Sequence, residues 1–178
     1  MHIAIILPRW VGDLVMTTPM IRAVRQHFGR NAKLTAVVKP LFQDLLAGTE
    51  WFDQFIAYDR HGKNPESGFQ RAAAKLSADR PDIALLVPNS LSSAALAWWG
   101  GCKQRVGYAR HGRRFLLTDP LMPVRHGWQV VPMSTAQHSM DLAERISVPR
   151  QPLKLELATL PEDESTLDSL IDMFFEGW

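Results

Sequence analysis

Along the first 150 residues, short unbroken apolar runs alternate with longer stretches whose apolar positions recur every three or four residues. The runs at 3–7, 34–38, 54–58, 83–87 and 105–108 read as strands. The stretches near 19–28, 40–46, 68–78, 90–99 and 136–146 read as helices. Strands this apolar have to be covered on both faces, so the alternation predicts an α/β fold with a doubly wound, largely parallel sheet.

Proline sharpens the first strand-to-helix connection. A helix beginning near Asp13 would enclose Pro19, which lacks an N–H and crowds the carbonyl of Val15, at a cost of roughly 3 kcal/mol. The pattern therefore predicts Thr18 as N-cap and Pro19 as the first helical residue. Ile21, Val24 and Phe28 then point inward, and Gly29 closes the helix. Residues 8–17 become an extended loop that displays Asp13 at the carboxyl end of the first strand, where open α/β sheets hold their ligands. The alternative is that Asp13 merely caps a kinked helix.

The last 30 residues differ from the rest. Residues 149–152 read as a linker, and Pro161 opens a final helix whose early acids suit the positive end of its dipole. Leu167, Leu170, Ile171 and Phe174 would form its apolar stripe, to be docked on this domain or to lead into another. The organisation expected is a domain over 1–150, with 151–178 as linker and terminal helix.

Length and composition bound the class. A chain of 178 residues with 46% hydrophobic content suits one well-buried domain with an appendage. No apolar run reaches the length of a membrane span, and the opening run is too short for a signal peptide. The lone Cys102 excludes an internal disulfide, and the expected location is the cytoplasm.

A net charge of +2 conceals an asymmetry, because residues 151–178 hold one lysine against seven acids. That tail carries −6, leaving +8 on the body, which suits an anionic partner. The basic residues crowd at Lys103, Arg105, Arg110, Arg113, Arg114 and Arg125, opposed by Asp119 alone. Arginine suits forked contacts with carboxylate or phosphate. A plain solvated basic loop is the competing reading. No aromatics are interleaved for base stacking, so a small anion is favoured over nucleic acid.

Familiar cofactor signatures are missing. The first turn has one glycine, Gly12, and neither GxGxxG nor GxxxxGK[ST] is present, which argues against nicotinamide or ATP chemistry there. The six histidines lack ligand spacing, so no metal is expected, and no cofactor at all. A second polar loop, Pro88-Asn-Ser-Leu-Ser-Ser93, follows the strand at 83–87. Its hydroxyls and amide suit either helix capping or a polyol.

Several blocks occur in a telling order: Gly12-Asp13 with Thr17-Thr-Pro-Met-Ile-Arg-Ala-Val24, Leu86-Val-Pro-Asn-Ser90, Arg105-Val-Gly-Tyr108 with Ala-Arg-His-Gly-Arg-Arg-Phe-Leu-Leu-Thr118, and His138 with Asp141. Over about residues 1–165 the chain resembles the N-terminal half of the ADP-heptose:lipopolysaccharide heptosyltransferases, glycosyltransferase family 9, and most of all their heptosyltransferase II branch. The resemblance implies a Rossmann-like N-terminal domain of the two-domain GT-B type. That domain binds a lipid-linked anionic saccharide acceptor, and a missing C-terminal domain grips ADP-heptose. It also implies that Asp13 is the general base of an inverting transfer.

With that resemblance, Arg9, Arg60, Lys63, Arg110, Arg113 and Arg114 become candidates for holding the acceptor's anionic groups, beside Gly12, Thr17, Asn89 and Ser90. A lipid-linked acceptor further implies peripheral contact with the cytoplasmic face of the inner membrane. Trp98, Trp99, Phe115, Leu116 and Leu117 are candidates for that contact, unless they lie in the core. Family members are roughly twice as long, so an incomplete enzyme is expected from this chain. The other reading is a non-catalytic carbohydrate- or anion-binding domain that retains the acceptor site.

Overall fold

The computed structural model describes residues 1–175, with side chains through Leu167 and those of Ser169 and Ile171. Six parallel strands form one sheet: β1 (His2–Ile6), β2 (Lys33–Val38), β3 (Gln54–Ala57), β4 (Ile83–Leu86), β5 (Gln104–Tyr108) and β6 (Asp119–Leu121). Their spatial order is β3-β2-β1-β4-β5-β6, the doubly wound Rossmann-like order. The chain reverses direction across the sheet between β1 and β4, which pair from Ile3 with Ile83 to Ile6 with Leu86. A crevice at that switch point is where such sheets bind ligands.

Alternation of side chains splits the core into two layers. Ile3, Ile5, Leu34, Ala36, Leu85 and Val106 face one layer, covered by α1 (Val11–Phe28), α2 (Gln43–Ala47) and α5 (Thr135–Arg145). Ala4, Ile6, Val37, Ile56, Ala84 and Leu86 face the other, covered by α3 (Phe69–Asp79) and α4 (Leu91–Trp99). Cys102 lies buried in this second layer, which pushes its thiol up to about 11 and leaves it inert.

The predicted start of α1 is corrected. The helix begins at Val11 with Trp10 as N-cap, so Pro19 sits inside it and Thr18 is no cap. Two local facts offset the proline. The Val15 carbonyl, which loses its N–H partner to Pro19, accepts the Thr18 hydroxyl at 2.8 Å. The two extra turns also bury Leu14 completely, worth about 1.5–3 kcal/mol, against roughly 3 kcal/mol for the proline.

Beyond the predicted strands lie β6 and a small antiparallel pair, β7 (Arg125–His126) and β8 (Gln129–Val130). Pro120 within β6 is tolerated because the strand forms the sheet's edge. Residues 151–160 run without regular structure along α1. Arg22 binds the carbonyls of Pro152 and Lys154 and the Glu156 carboxylate, while the Glu156 N–H donates to the Thr18 hydroxyl at 3.1 Å. α6 (Pro161–Phe175) follows, with Leu167 and Ile171 exposed. The Leu170 and Phe174 side chains of its expected stripe lie outside the described residues. Among the described residues no helix is long and apolar enough to cross a membrane.

Candidate active site

Beyond the carboxyl ends of β1 and β4 opens a cleft of about 650 Å³. Its walls come from successive strand ends: Arg9 and Asp13 after β1, Lys39 after β2, Asp59, Arg60 and His61 after β3, Asn89 and Ser90 after β4, and Arg110 and His111 after β5. α5 completes it with Thr135 and His138, one turn apart.

Asp13 occupies the first turn of α1, where the helix dipole favours a carboxylate. It is half-buried, and its Oδ1 accepts the Thr135 hydroxyl at 2.8 Å. That bond orients the carboxylate while Oδ2 has no partner among the described residues. Four cations share the cleft wall: Arg9, Lys39, Arg60 and Arg110. Lys39 approaches Asp59 at 3.9 Å, whereas Arg9, Arg60 and Arg110 have no carboxylate within salt-bridge distance among the described residues. A pocket with three uncompensated guanidinium groups attracts anions.

His138 stacks on Tyr108 with ring centroids 4.2 Å apart. Burial, reinforced by the charge of Arg113, lowers its pKa, so it is neutral at pH 7. Its Nε2 is buried without a well-formed hydrogen bond. Tyr58 is similar: burial raises its pKa, and the Ser92 hydroxyl lies near enough to oppose that shift yet outside hydrogen-bond geometry. Tyr108 in turn donates to Asp141 at 2.5 Å, and burial together with that carboxylate raises its pKa strongly.

Six of the residues singled out from sequence meet in this cleft: Arg9, Asp13, Arg60, Asn89, Ser90 and Arg110. Five do not line it. Gly12 is exposed at the start of α1, and a Cβ there would meet nothing within 4 Å. Thr17 is wholly buried with its hydroxyl on the Asp13 carbonyl at 2.8 Å, so it shapes the helix rather than meeting a ligand. Lys63 and Arg114 are exposed outside the cleft lining. Arg113 is fully buried behind the wall, its donors spent on protein acceptors.

Sequence reasoning missed Lys39, Thr135, Tyr58, and the histidines at 61 and 111. Lys39 had a usable signal, since it directly follows a predicted strand just as Arg9 and Arg110 do. Thr135 had none, because it reaches Asp13 across 122 residues of sequence. Helix capping, one of the two roles open to that loop, falls to Ser90, which accepts the Ser93 N–H at 3.2 Å. Of the apolar residues considered for membrane contact, Trp98, Trp99 and Phe115 are exposed and Leu117 is buried.

Comparison with known proteins follows the same lines. No family model matches the chain. It is 25% identical over 134 residues to lipopolysaccharide heptosyltransferase 2 of Escherichia coli K12, covering 74% of this chain and 38% of that protein. It is 27% identical over 119 residues to lipooligosaccharide heptosyltransferase 2 of Haemophilus influenzae, covering 67% and 34%. Among solved structures, the glycosyl transferase family 9 protein of Veillonella parvula superposes with a TM-score of 0.78 at 18% identity, over 97% of this chain and 49% of that one. The E. coli ADP-heptose LPS heptosyltransferase II superposes with a TM-score of 0.70 at 22% identity, over 98% and 51%. The chain thus spans about half the length of the solved relatives and a little over a third of the curated ones. In sequence and in fold it resembles half of a glycosyltransferase family 9 heptosyltransferase, and that half fits the N-terminal one to which the motif blocks around Asp13, Asn89 and Tyr108 pointed.

Proposed function

We propose that this chain is the acceptor-binding half of an inverting glycosyltransferase that moves heptose from ADP-heptose onto a lipid-linked anionic saccharide. The observation that carries this reading is the Asp13 carboxylate, oriented by Thr135 and standing in a cleft with Arg9, Lys39, Arg60 and Arg110. The acceptor's carboxylates and phosphates sit against the four cations, which places a sugar hydroxyl within about 3 Å of Asp13 Oδ2. The hydroxyl oxygen attacks the anomeric carbon of heptose, the bond from that carbon to the ADP oxygen breaks, and the hydroxyl proton passes to Asp13. Donor binding falls to a second, C-terminal domain. Exposed Trp98, Trp99 and Phe115 support a peripheral contact with the membrane that carries the acceptor.

The test supplies a donor-binding half and follows labelled heptose. Asp13→Ala should cut turnover on the order of 10²-fold or more while leaving acceptor binding measurable. Near-normal transfer by that variant would remove Asp13 from the mechanism. An isolated chain that binds acceptor, yet never transfers when complemented, would favour the non-catalytic binding domain.

A further inference from the structure

Arg113 is completely buried, and every acceptor around it is neutral. Its Nε donates to the Tyr108 carbonyl at 2.9 Å. Nη1 donates to the carbonyls of Pro88 and Ser90 and to the Ser93 hydroxyl, and Nη2 donates to Asn89 Oδ1 at 3.2 Å. Four of these five acceptors belong to residues 88–93, the polar loop that forms one wall of the cleft. Gly107 makes the room, because a Cβ there would lie 3.0 Å from Nη2 and 3.3 Å from Leu117 and Leu86.

Guanidinium can donate and cannot accept. An asparagine facing it must therefore turn its carbonyl oxygen inward, and the amide nitrogen is left facing the other way. Asn89 lines the cleft, and its Nδ2 has no partner among the described residues. We infer that Arg113 is a positioning residue that fixes the amide orientation of Asn89, presenting an N–H donor to an oxygen acceptor on the bound saccharide. Asn89 is then a specificity residue that selects a carboxylate, phosphate or hydroxyl oxygen at its subsite. The inference rests on the acceptor-binding reading above for the identity of the ligand, though the amide orientation stands without it.

Three variants and one ligand-free measurement test it. Asn89→Ala removes the donor without adding charge, and calorimetry with an inner-core saccharide fragment should show affinity lower by about tenfold, as for a hydrogen bond to a charged oxygen. Asn89→Asp should bind still more weakly, yet melt no lower than the parent, because the new carboxylate pairs with Arg113. A purely structural Asn89 would leave affinity unchanged in both variants, which would overturn the proposal. Arg113→Lys keeps the charge and loses the fork, so affinity should fall while the salt sensitivity of binding persists. In the ligand-free protein, the Asn89 side-chain amide protons should exchange with water as freely as an exposed amide. Slow exchange would mean the amide is bonded inward and would overturn the orientation, whatever the ligand. If the parent chain ignores the fragment while those protons exchange freely, the acceptor reading fails and the orientation survives.

Discussion

Two buried arginines sit at opposite ends of the sheet. At the amino end Arg25 binds the carbonyls of Trp51, Gly29 and Ala32 and forms a 2.6 Å ion pair with Asp53, which also accepts the Leu34 N–H at 2.7 Å. At the carboxyl end Arg113 has five acceptors and no carboxylate. Burial accordingly pulls its pKa down to about 10, which still leaves it charged at neutral pH. The paired arginine joins the segments that lead into β2 and β3, its charge offset by Asp53. The unpaired one holds the cleft wall in shape and adds its charge to that of Arg9, Arg60 and Arg110. Charge is neutralised where the protein needs rigidity alone, and left uncompensated beside the cleft proposed for the acceptor's anionic groups.

Replacing each arginine with methionine should separate the two. Arg25→Met takes its 2.6 Å partner from the Asp53 carboxylate, leaving it Arg30 at 3.6 Å and the Leu34 N–H, and orphans three carbonyls, so it should cost about 3–5 kcal/mol in urea unfolding. Arg113→Met strands no charge and leaves neutral acceptors unsatisfied, so about 1–3 kcal/mol is expected. Equal costs would show that the counter-ion makes no difference.

Acid should weaken the amino end. Burial raises the Asp53 pKa, but hydrogen bonds from Arg25 and Leu34 and the charges of Arg25 and Arg30 outweigh it, for a net lowering. A depressed carboxylate pKa gives stability that is present above the unfolded value and lost as pH falls through the folded one. Asp53→Asn should therefore flatten the acid limb of a stability profile, and an unchanged limb would count against the pair.

The smallest effect expected is at the cleft. Thr135→Val removes one hydrogen bond to Asp13, and turnover of the complemented enzyme should fall about three- to tenfold with stability changed by about 1 kcal/mol or less. Unaltered turnover would mean that Asp13 needs no such orientation.

The strands of the first 110 residues were legible because unbroken apolar runs leave few alternatives for a doubly covered sheet. Arg9, Asp13, Arg60, Asn89, Ser90 and Arg110 reach one cleft for the same reason, since each follows the carboxyl end of a strand. The start of α1 was not legible, because the rescue of the Val15 carbonyl by Thr18 is a side-chain event that propensity does not encode. β6 and the β7–β8 pair are too short to show a period. Arg113 and Thr17 looked like ligand-binding residues because a polar side chain declares its chemistry in sequence and its burial only in tertiary structure. Likewise four of the five acceptors of Arg113 come from a loop some 20 residues away.

The most direct test of the cleft's role is calorimetry on this chain with two ligands, an inner-core saccharide fragment and ADP. The saccharide should bind, its binding should weaken as salt rises, and ADP should release no heat. Binding of ADP, or saccharide binding indifferent to salt and to Asn89→Ala, would contradict that role.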